Sequence, residues 1–274
     1  MENEEEKLNQ LKIENEIKKM KLSLEHGASF FSPPTNKLPA EIESQWLDNI
    51  QKFEDSYAHS KIILLYDFIG RPSYRNIGDV PKPEMEFELT KMLDLLRKKG
   101  ICVDTICKVA DSDLYRFICE ELFQQEINDI GIDGMLTHFT YEEFHPNHAY
   151  DIEQHCKQVL DAILNKKKKL DFTYLPVSDE IDSSSGTIKK EEAKNRIEIF
   201  RQTFSKLELQ HFLVTSILIN EDKSEAETGF DINYSGTIKG GSEEVIFSGS
   251  GSFKLKKEYD YWCIQKINIP GVPL

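Results

Sequence analysis

The stretch Glu225–Ile238, EAETGFDINYSGTI, decides the fold of the last third of the chain. Its even positions carry apolar, aromatic or small residues, and its odd positions carry polar residues and one glycine. An alternation with a period of two over this length is typical of a long antiparallel strand. One face of the strand is predicted to be buried and the other to contact water. The buried face has Ala226, Thr228, Phe230, Ile232, Tyr234, Gly236 and Ile238.

The segments on either side extend this strand into a sheet. Lys239–Ser242 contains two glycines and predicts a tight turn. The alternation then resumes, and its inward positions are Val245, Phe247, Gly249, Gly251, Phe253 and Leu255. Glycines on an inward face suit a sheet that bends sharply or that another element approaches closely. With further strands at Phe212–Ile219 and Tyr259–Ile269, the sequence predicts a curved antiparallel sheet.

Two helices and a loop precede the sheet. The first helix is predicted at His148–Leu164, with Asn147 as its N-cap and an apolar face of Ile152, Cys156, Val159 and Ile163. A short strand at Asp171–Pro176 and a polar loop at Ser178–Gly186 follow. The second helix is predicted from the spacing of Ala193, Ile197, Phe200, Phe204 and Leu207, at steps of three and four.

This order of elements resembles the nuclear transport factor 2-like superfamily, a cone-shaped fold that includes ketosteroid isomerase-like and SnoaL-like proteins. The residues that carry the resemblance run from Gly186 to Ala226: a Gly-Thr-Ile-Lys-Lys-Glu-Glu-Ala entry to a Phe-rich helix, then Leu213–Ile219, then Asn220-Glu221-Asp222 before the next strand. The resemblance covers the chain from Asn147 to Pro270. The sequence departs from the family in one respect, since one helix precedes the short strand where the family usually has two.

The resemblance implies a pocket between the inner face of the sheet and the helices. The candidate pocket residues are Tyr174, Phe200, Phe204, Thr228, Phe230 and Tyr234. Enzymes of this superfamily place an acid–base carboxylate and a Tyr or Asp donor there, because enolisation requires a base and a proton donor at the oxyanion. The long strand offers no inward carboxylate, although Asp171 and Tyr174 could face inward and His211 lies at a strand entrance. We therefore assign no catalytic residue.

Three functions remain open at this point. The sequence favours a non-enzymatic protein in which the cone holds a small apolar ligand or docks a protein partner. The alternative is an isomerase- or dehydratase-type enzyme with an acid–base pair in the cone. The third is a structural role in which the cone forms a homodimer. Family members often dimerise through the outer face of the sheet, which is predicted here to be polar.

The N-terminal half divides into three predicted parts. Residues 1–25 form a helix whose apolar stripe, Ile13, Ile17, Met20 and Leu24, is expected to dock on the body of the protein or on a partner or dimer helix. Residues 26–37 read as a linker, residues 38–147 as an α-rich module of unknown function, and residues 148–274 as the cone domain. The overall prediction is an α+β protein with its helices concentrated before the sheet.

Composition and motifs exclude several classes. The formal net charge of −14 argues against nucleic acid or a membrane surface as the main partner. The N-terminal residues lack the pattern of a secretory signal, and five cysteines without a CxxC motif indicate a reduced, cytoplasmic protein. The sequence contains no phosphate-binding motif and no nucleophile-elbow motif, so neither a cofactor nor a hydrolase activity is predicted. Four histidines between His138 and His155 lack the spacing of a metal site, so no metal is predicted.

Overall fold

The computed structural model describes residues 2–31, 38–132 and 134–274. The chain forms two compact units, Met1–His145 and Pro146–Leu274. Half of the predicted linker, residues 32–37 of 26–37, therefore lies outside the described residues. In the part of the chain that is described, no helix combines the length and apolar character needed to cross a bilayer.

The first unit begins with two helices that run parallel, α1 (Glu2–His26) and α2 (Ala40–His59). The Asn15 amide donates to the carbonyl oxygen of Ala40 at 2.8 Å near the start of the pair. His26 lies 3.7 Å from the carboxylate of Glu54 near its other end. The contacts advance along both helices in the same direction, so the pair is parallel.

The side of α1 that packs on α2 is not the side predicted from the apolar stripe. Leu22 and Asn15 are fully buried, whereas Ile13, Ile17, Met20 and Leu24 are between 56% and 86% exposed. The expectation that this stripe docks on the body of the protein is therefore wrong. The opposite side of α1 forms the contact with α2. Leu22 and Asn15 are seven residues apart and therefore lie on the same side of the helix.

The rest of the first unit is built from short elements. In order they are β1 (Ile62–Leu64), α3 (Leu65–Phe68), α4 (Met85–Lys98), β2 (Ile101–Asp104), α5 (Asp111–Arg116), β3 (Glu126–Asn128), β4 (Thr137–Thr140) and α6 (Tyr141–Phe144). A π-helical turn at Phe117–Glu121 continues α5, and short 3-10 turns lie at Ile77–Asp79, Lys82–Glu84 and Leu122–Gln124. Strand β1 pairs antiparallel with β3, and β2 pairs parallel with β4.

The core of this unit follows a pattern visible in the sequence. The face of α4 with Met85, Leu89, Met92 and Leu96 is buried, and Gly100 just beyond the helix has a φ of +74°. A positive φ at this position is the left-handed conformation that ends many helices and that glycine adopts without strain. Around α4 pack the buried side chains of α5 and the π-helical turn, among them Tyr115, Phe117 and Ile118.

The second unit has two helices and one six-stranded sheet. Its elements are α7 (His148–Leu164), β5 (Val177–Ser183), β6 (Gly186–Lys189), α8 (Lys190–Thr203), β7 (Phe204–Ile219), β8 (Glu225–Ile238), β9 (Glu244–Glu258) and β10 (Tyr261–Asn268). The strand order is β6-β5-β10-β9-β8-β7, and every pair is antiparallel except β10 with β5. The α+β fold class is confirmed, as is the predicted buried face of β8, while Ser235 on its other face is buried as well. The backbone amide of Tyr150 donates to the Asn147 side chain, so the predicted cap of α7 is confirmed.

Two predictions between α7 and α8 are wrong. Asp171–Pro176 contains a 3-10 turn at Phe172–Tyr174 instead of a strand. The segment predicted as a polar loop instead forms β5, whose Val177 and Ile181 are buried. The polar residues Asp179, Glu180 and Asp182 favour a loop in the sequence pattern. Two apolar side chains are nevertheless enough to hold a short strand next to β10.

Strand β7 starts eight residues earlier than predicted. Phe204 and Leu207 follow the helical spacing of α8, but α8 ends at Thr203 and both residues belong to β7. The inward residues of β7 are Phe204, Leu207, Leu209, Phe212, Val214, Ile217 and Ile219, at alternating steps of three and two. Each step of three contains a break in register, so β7 has three bulges opposite β8. These bulges keep apolar side chains on the inner face and bend the strand.

Candidate functional site

Five of the six predicted pocket residues lie inside the second unit. Phe200, Phe204, Thr228, Phe230 and Tyr234 are buried in its core. Tyr174, by contrast, is 84% exposed in the 3-10 turn, so the prediction that it lines the interior is wrong. The turn replaced the strand that would have directed its ring inward. Whether the other five residues bind a ligand stays a prediction.

The interior is filled by aromatic rings that contact one another. The ring centroids of Phe200 and Phe204 are 5.2 Å apart, and those of Phe230 and Phe253 are 4.9 Å apart. Such distances are typical of rings in direct contact. The ring of Phe230 lies over Gly251, where an added Cβ would come within 2.4 Å of it. The inward glycine therefore makes room for an aromatic ring of the same core.

The C-terminal segment closes the interior on one side. The hydroxyl of Tyr234 donates to the carbonyl oxygen of Pro270. Gly271 lies against the ring of Phe247, which stacks on Tyr234 with centroids 4.7 Å apart. Val272 and Leu274 pack against the same core. The space beside Tyr234 is thus occupied by the chain itself.

The polar groups of the interior are few and paired. Thr228 Oγ1 lies 3.7 Å from Cys156 Sγ, and His155 Nδ1 lies 2.8 Å from the carbonyl oxygen of Trp262. Burial raises the pKa of the Cys156 thiol to about 12 and lowers the pKa of His155. Burial also raises the pKa of Tyr234. At neutral pH these groups are therefore uncharged.

No buried carboxylate accompanies these groups among the described residues 146–274. Asp171 accepts a hydrogen bond from the backbone amide of Thr173 at 2.9 Å and caps the 3-10 turn. This hydrogen bond lowers the pKa of Asp171. His211 is exposed, opposite Asn233 in the sheet. The interior thus lacks the carboxylate base that enolisation requires.

Two open cavities lie between α7 and β7, and we call them together the α7–β7 groove. The cavity near the end of α7 has a volume of about 860 Å³ and is lined by Asp161, Leu164, Asn165, Lys166, Lys167 and residues 205–210. The cavity nearer the start of α7 has a volume of about 450 Å³ and is lined by Glu153, Lys157 and residues 212–217. Along α7 these residues recur about once per turn, so they share one face of the helix.

The floor of the groove is apolar and only partly covered. Leu209, Phe212, Val214 and Ile217 point to the inner face of the sheet, yet Leu209 is 45% exposed and the other three are half-buried. Strand β7 is at the edge of the sheet, and α7 and α8 both pack against it.

The wall of the groove carries alternating charges. Glu153, Lys157 and Asp161 follow one another at intervals of four residues on α7. Lys157 pairs with Glu153 at 2.6 Å, and Lys168 pairs with Asp161 at 2.6 Å. The hydrogen bond from Lys168 lowers the pKa of Asp161. The groove therefore combines an apolar floor with a wall that carries both positive and negative charges.

The sequence contained a signal for this floor that period-two analysis does not detect. The steps of three and two from Phe204 to Ile219 match neither a regular strand nor a helix. They match a strand with one extra residue in every five.

The outer face of the sheet is predicted from the sequence to be polar. The structure differs from this prediction, because Leu213, Leu218 and Ile246 are exposed on that face.

The four histidines of the predicted metal-free segment have separate partners. His138 lies 2.9 Å from Asp104, His145 lies 3.0 Å from Glu121, and Trp262 Nε1 donates to His148 at 3.3 Å. His155 is the buried residue described above. Across the described ranges, no group of three or more His, Cys, Asp or Glu could hold a metal ion.

Comparison with known proteins gives structural likenesses only. No family model and no curated protein matches the chain. A solved protein from Kribbella flavida is 16% identical with a TM-score of 0.36, and the match covers 44% of this chain and 88% of that one. A hexachlorocyclohexane dehydrochlorinase from Novosphingobium barchaimii is 12% identical with a TM-score of 0.34, covering 44% of this chain and 83% of that one.

A third solved structure is a nuclear transport factor 2-like superfamily protein from Salmonella enterica. It is 17% identical with a TM-score of 0.35, and the match covers 46% of this chain and 90% of that one. Its superfamily is the one that the sequence resembles from Asn147 to Pro270. At these identities and TM-scores, the likenesses assign no activity and no ligand to this chain.

Proposed function

We propose that this chain is a non-enzymatic protein-interaction protein and that its α7–β7 groove binds an apolar helix face of a protein partner. The observation that carries the proposal is the contrast between the two apolar regions of the second unit. The interior is filled with aromatic rings and contains no buried carboxylate among the described residues. The groove floor from Leu209 to Ile217 is apolar and open.

The shape of the groove favours a polypeptide over a small molecule. Leu209 and Ile217 pair with Tyr234 and Thr228, which are six steps apart on β8, so the floor is about 20 Å long. A helix of that length has roughly 13 residues. Small-molecule sites are enclosed on most sides, whereas this groove is open along the edge of β7.

The bulges of β7 favour a helix over an added strand. A partner strand pairs with a regular edge of unpaired backbone groups. Three register breaks between Phe204 and Ser216 interrupt that edge. A helix in the groove needs side-chain contacts only, with its apolar residues on the floor and its polar flank facing Glu153, Lys157 and Asp161.

A matched pair of leucines tests the proposal. Leu209 is 45% exposed on the groove floor, and Leu213 is 54% exposed on the outer face of the same strand. The probe is a fluorescein-labelled amphipathic peptide of about 13 residues with leucines at helical spacing. Fluorescence anisotropy measures its affinity for the wild type, Leu209→Lys and Leu213→Lys.

We expect Leu209→Lys to weaken peptide binding at least about 10-fold and Leu213→Lys to change it less than about twofold. Hydrogen exchange should slow in residues 205–217 when the peptide binds. Equal loss in both variants, or exchange that slows elsewhere only, contradicts the proposal. Far-UV circular dichroism and urea midpoints confirm that both variants are folded.

A small-molecule probe tests the alternative that the groove binds a small apolar ligand. The fluorescent dye 8-anilinonaphthalene-1-sulfonate reports exposed apolar surface. If Leu209→Lys removes dye binding and the peptide does not compete with the dye, the groove binds a small apolar ligand and the proposed protein partner is wrong.

A further inference from the structure

The apolar residues Ile13, Ile17, Met20 and Leu24, which we call the α1 stripe, lie on the surface of the first unit. Their spacing of four, three and four residues is that of the core positions of a coiled coil. All four are more than half exposed. A row of four large apolar side chains on one helix is unusual for a surface that contacts only water.

The stripe is not needed to hold α1 on α2. The opposite side of α1 provides that contact through buried Leu22 and through polar pairs that include Lys18 with Asp48 at 2.5 Å. Lys19 pairs with Glu43 at 2.7 Å on the same side. Helix α1 therefore has two separate apolar sides, one covered by α2 and one open.

The charges that flank the stripe fit a second copy of α1 in antiparallel orientation. Glu14 and Lys21 are seven residues apart and so lie on the same flank. An antiparallel two-fold pair centred between Ile17 and Met20 places Glu14 of each copy beside Lys21 of the other. Glu14 accepts an exposed hydrogen bond from Gln10, and Lys21 has a long exposed pair with Glu25 at 3.8 Å, so both side chains can exchange these contacts for one across the pair.

The acidic start of α1 opposes a parallel pair. The first two turns of α1 are acidic and include the exposed Glu5 and Glu6. A parallel pair would bring these carboxylates of both copies together, and like charges at short distance repel. In the antiparallel pair they lie far from each other, and Ile13 lies beside Leu24 of the second copy.

We propose that two copies of this chain associate through the α1 stripe as an antiparallel, two-fold symmetric helix pair. The interface is self-complementary, as a two-fold interface must be. Phe30 and Trp46 extend its apolar surface beside Met20 and Leu24, with their ring centroids 6.1 Å apart. A cavity of about 420 Å³ between Met20, Leu24 and Phe30 can receive a side chain of the second copy.

The test is sedimentation equilibrium of the full chain over a range of concentrations. We expect a dimer that Ile17→Glu weakens about 100-fold, because it places a charge at the centre of an apolar interface. The matched control is Phe87→Glu, since Phe87 is 70% exposed on α4. We expect this control to dimerise like the wild type.

Charge reversal tests the antiparallel orientation. Glu14→Lys and Lys21→Glu should each weaken the dimer at least about fivefold, and the double variant should restore it. Single variants without effect, or a double variant weaker than either, overturn the antiparallel pairing.

Two results overturn the stripe as the dimer interface. One is a wild type that stays monomeric up to about 100 µM. The other is a dimer that survives Ile17→Glu and dissociates in Leu213→Lys, which would place the interface on the outer face of the sheet. Neither result bears on peptide binding at the α7–β7 groove, which lies in the other unit.

Discussion

The hydroxyl of Tyr234 in the middle of the sheet donates a hydrogen bond to the carbonyl oxygen of Pro270 near the C-terminus. This bond joins the inner face of β8 to a segment that follows β10. Tyr234 is fully buried, and the ring of Phe247 stacks on it. The C-terminal segment is consequently part of the core of the second unit and fills space that an open cone would leave for a ligand.

Removing this hydrogen bond tests how firmly the segment is held. Tyr234→Phe should lower the free energy of unfolding by about 1 kcal/mol, because the ring remains and one hydrogen bond is lost. Urea unfolding followed by the fluorescence of buried Trp262 measures the change. Hydrogen exchange at residues 271–274 should accelerate.

The matched control is Tyr259→Phe, since Tyr259 is fully exposed in the turn before β10. We expect no change in its unfolding free energy. If the two variants are equally stable, the bond to Pro270 contributes nothing and the segment is held by apolar contacts alone.

Gly251 is predicted to be the position of the sheet that tolerates a methyl group least. A Cβ there would lie 2.4 Å from Cε2 of Phe230 and 2.6 Å from the backbone oxygen of Asn268. Gly251→Ala should therefore destabilise the protein by about 2 kcal/mol, as overpacking in a filled core does.

A control for Gly251 lies in the turn between β8 and β9. At Gly241 the nearest atoms to an added Cβ are 3.8 Å and 4.0 Å away, which is ordinary contact. Thermal unfolding should show a lower Tm for Gly251→Ala and an unchanged Tm for Gly241→Ala. Equal Tm values would mean that the Phe230 ring moves aside at little cost.

The bulges of β7 predict which of two adjacent residues supports the core. Phe212 faces inward and its ring centroid is 5.1 Å from that of Phe230, whereas Leu213 faces outward opposite Asp231. Phe212→Ala should cost about 2–3 kcal/mol of unfolding free energy, because Phe212 is half-buried. Leu213→Ala should cost less than about 0.5 kcal/mol.

Urea denaturation of both alanine variants decides the assignment. A strand without the bulge near Thr215 would turn Leu213 inward, because the side-chain period of a regular strand is two. A larger loss for Leu213→Ala than for Phe212→Ala would therefore contradict the register described for β7.

The buried His155 should make the second unit sensitive to acid. Burial lowers the pKa of His155 below its ordinary value of 6.5, so the unfolded chain binds a proton that the folded chain does not. The stabilising effect of the neutral imidazole is present above pH 6.5 and is lost as the pH falls below it. The slope from this one residue is at most about 1.4 kcal/mol per pH unit.

Unfolding free energies at pH 7, 6 and 5 test this expectation. The variant His155→Gln should show a smaller decrease between pH 7 and 5 than the wild type. The control His211→Gln, at an exposed histidine, should keep the wild-type decrease. An unchanged slope in His155→Gln would show that His155 is protonated in the folded protein at pH 5.

Prediction from sequence succeeded where one residue pattern had one structural solution. The alternation from Glu225 to Ile238 is a strand with its predicted inner face, and the stripe from Ile152 to Ile163 is the buried face of α7. It failed where a pattern fits two structures. Phe204 and Leu207 continue the helical spacing of α8 yet belong to β7, because steps of three also arise at bulges.

The candidate site was harder to predict than the fold. The interior positions of Phe200, Phe204, Thr228, Phe230 and Tyr234 follow from sequence patterns, but whether they enclose space does not. Phe230 fills the room over Gly251, and Pro270 and Gly271 occupy the space next to Tyr234 and Phe247. The α7–β7 groove depends on the three bulges of β7, which a strict alternation with a period of two does not reveal.

The sequence by itself determined the inner faces of β8 and β9, the N-cap and buried face of α7, and the absence of an inward carboxylate on β8. These features depend on residues close in the chain, whose side-chain directions the backbone period fixes. Only the tertiary structure decided that the α1 stripe faces outward, that the cone is filled, and that the floor of the groove is open. Each depends on contacts between residues distant in sequence, such as Tyr234 with Pro270 and Leu22 with α2, and local patterns do not specify which of two apolar surfaces is covered.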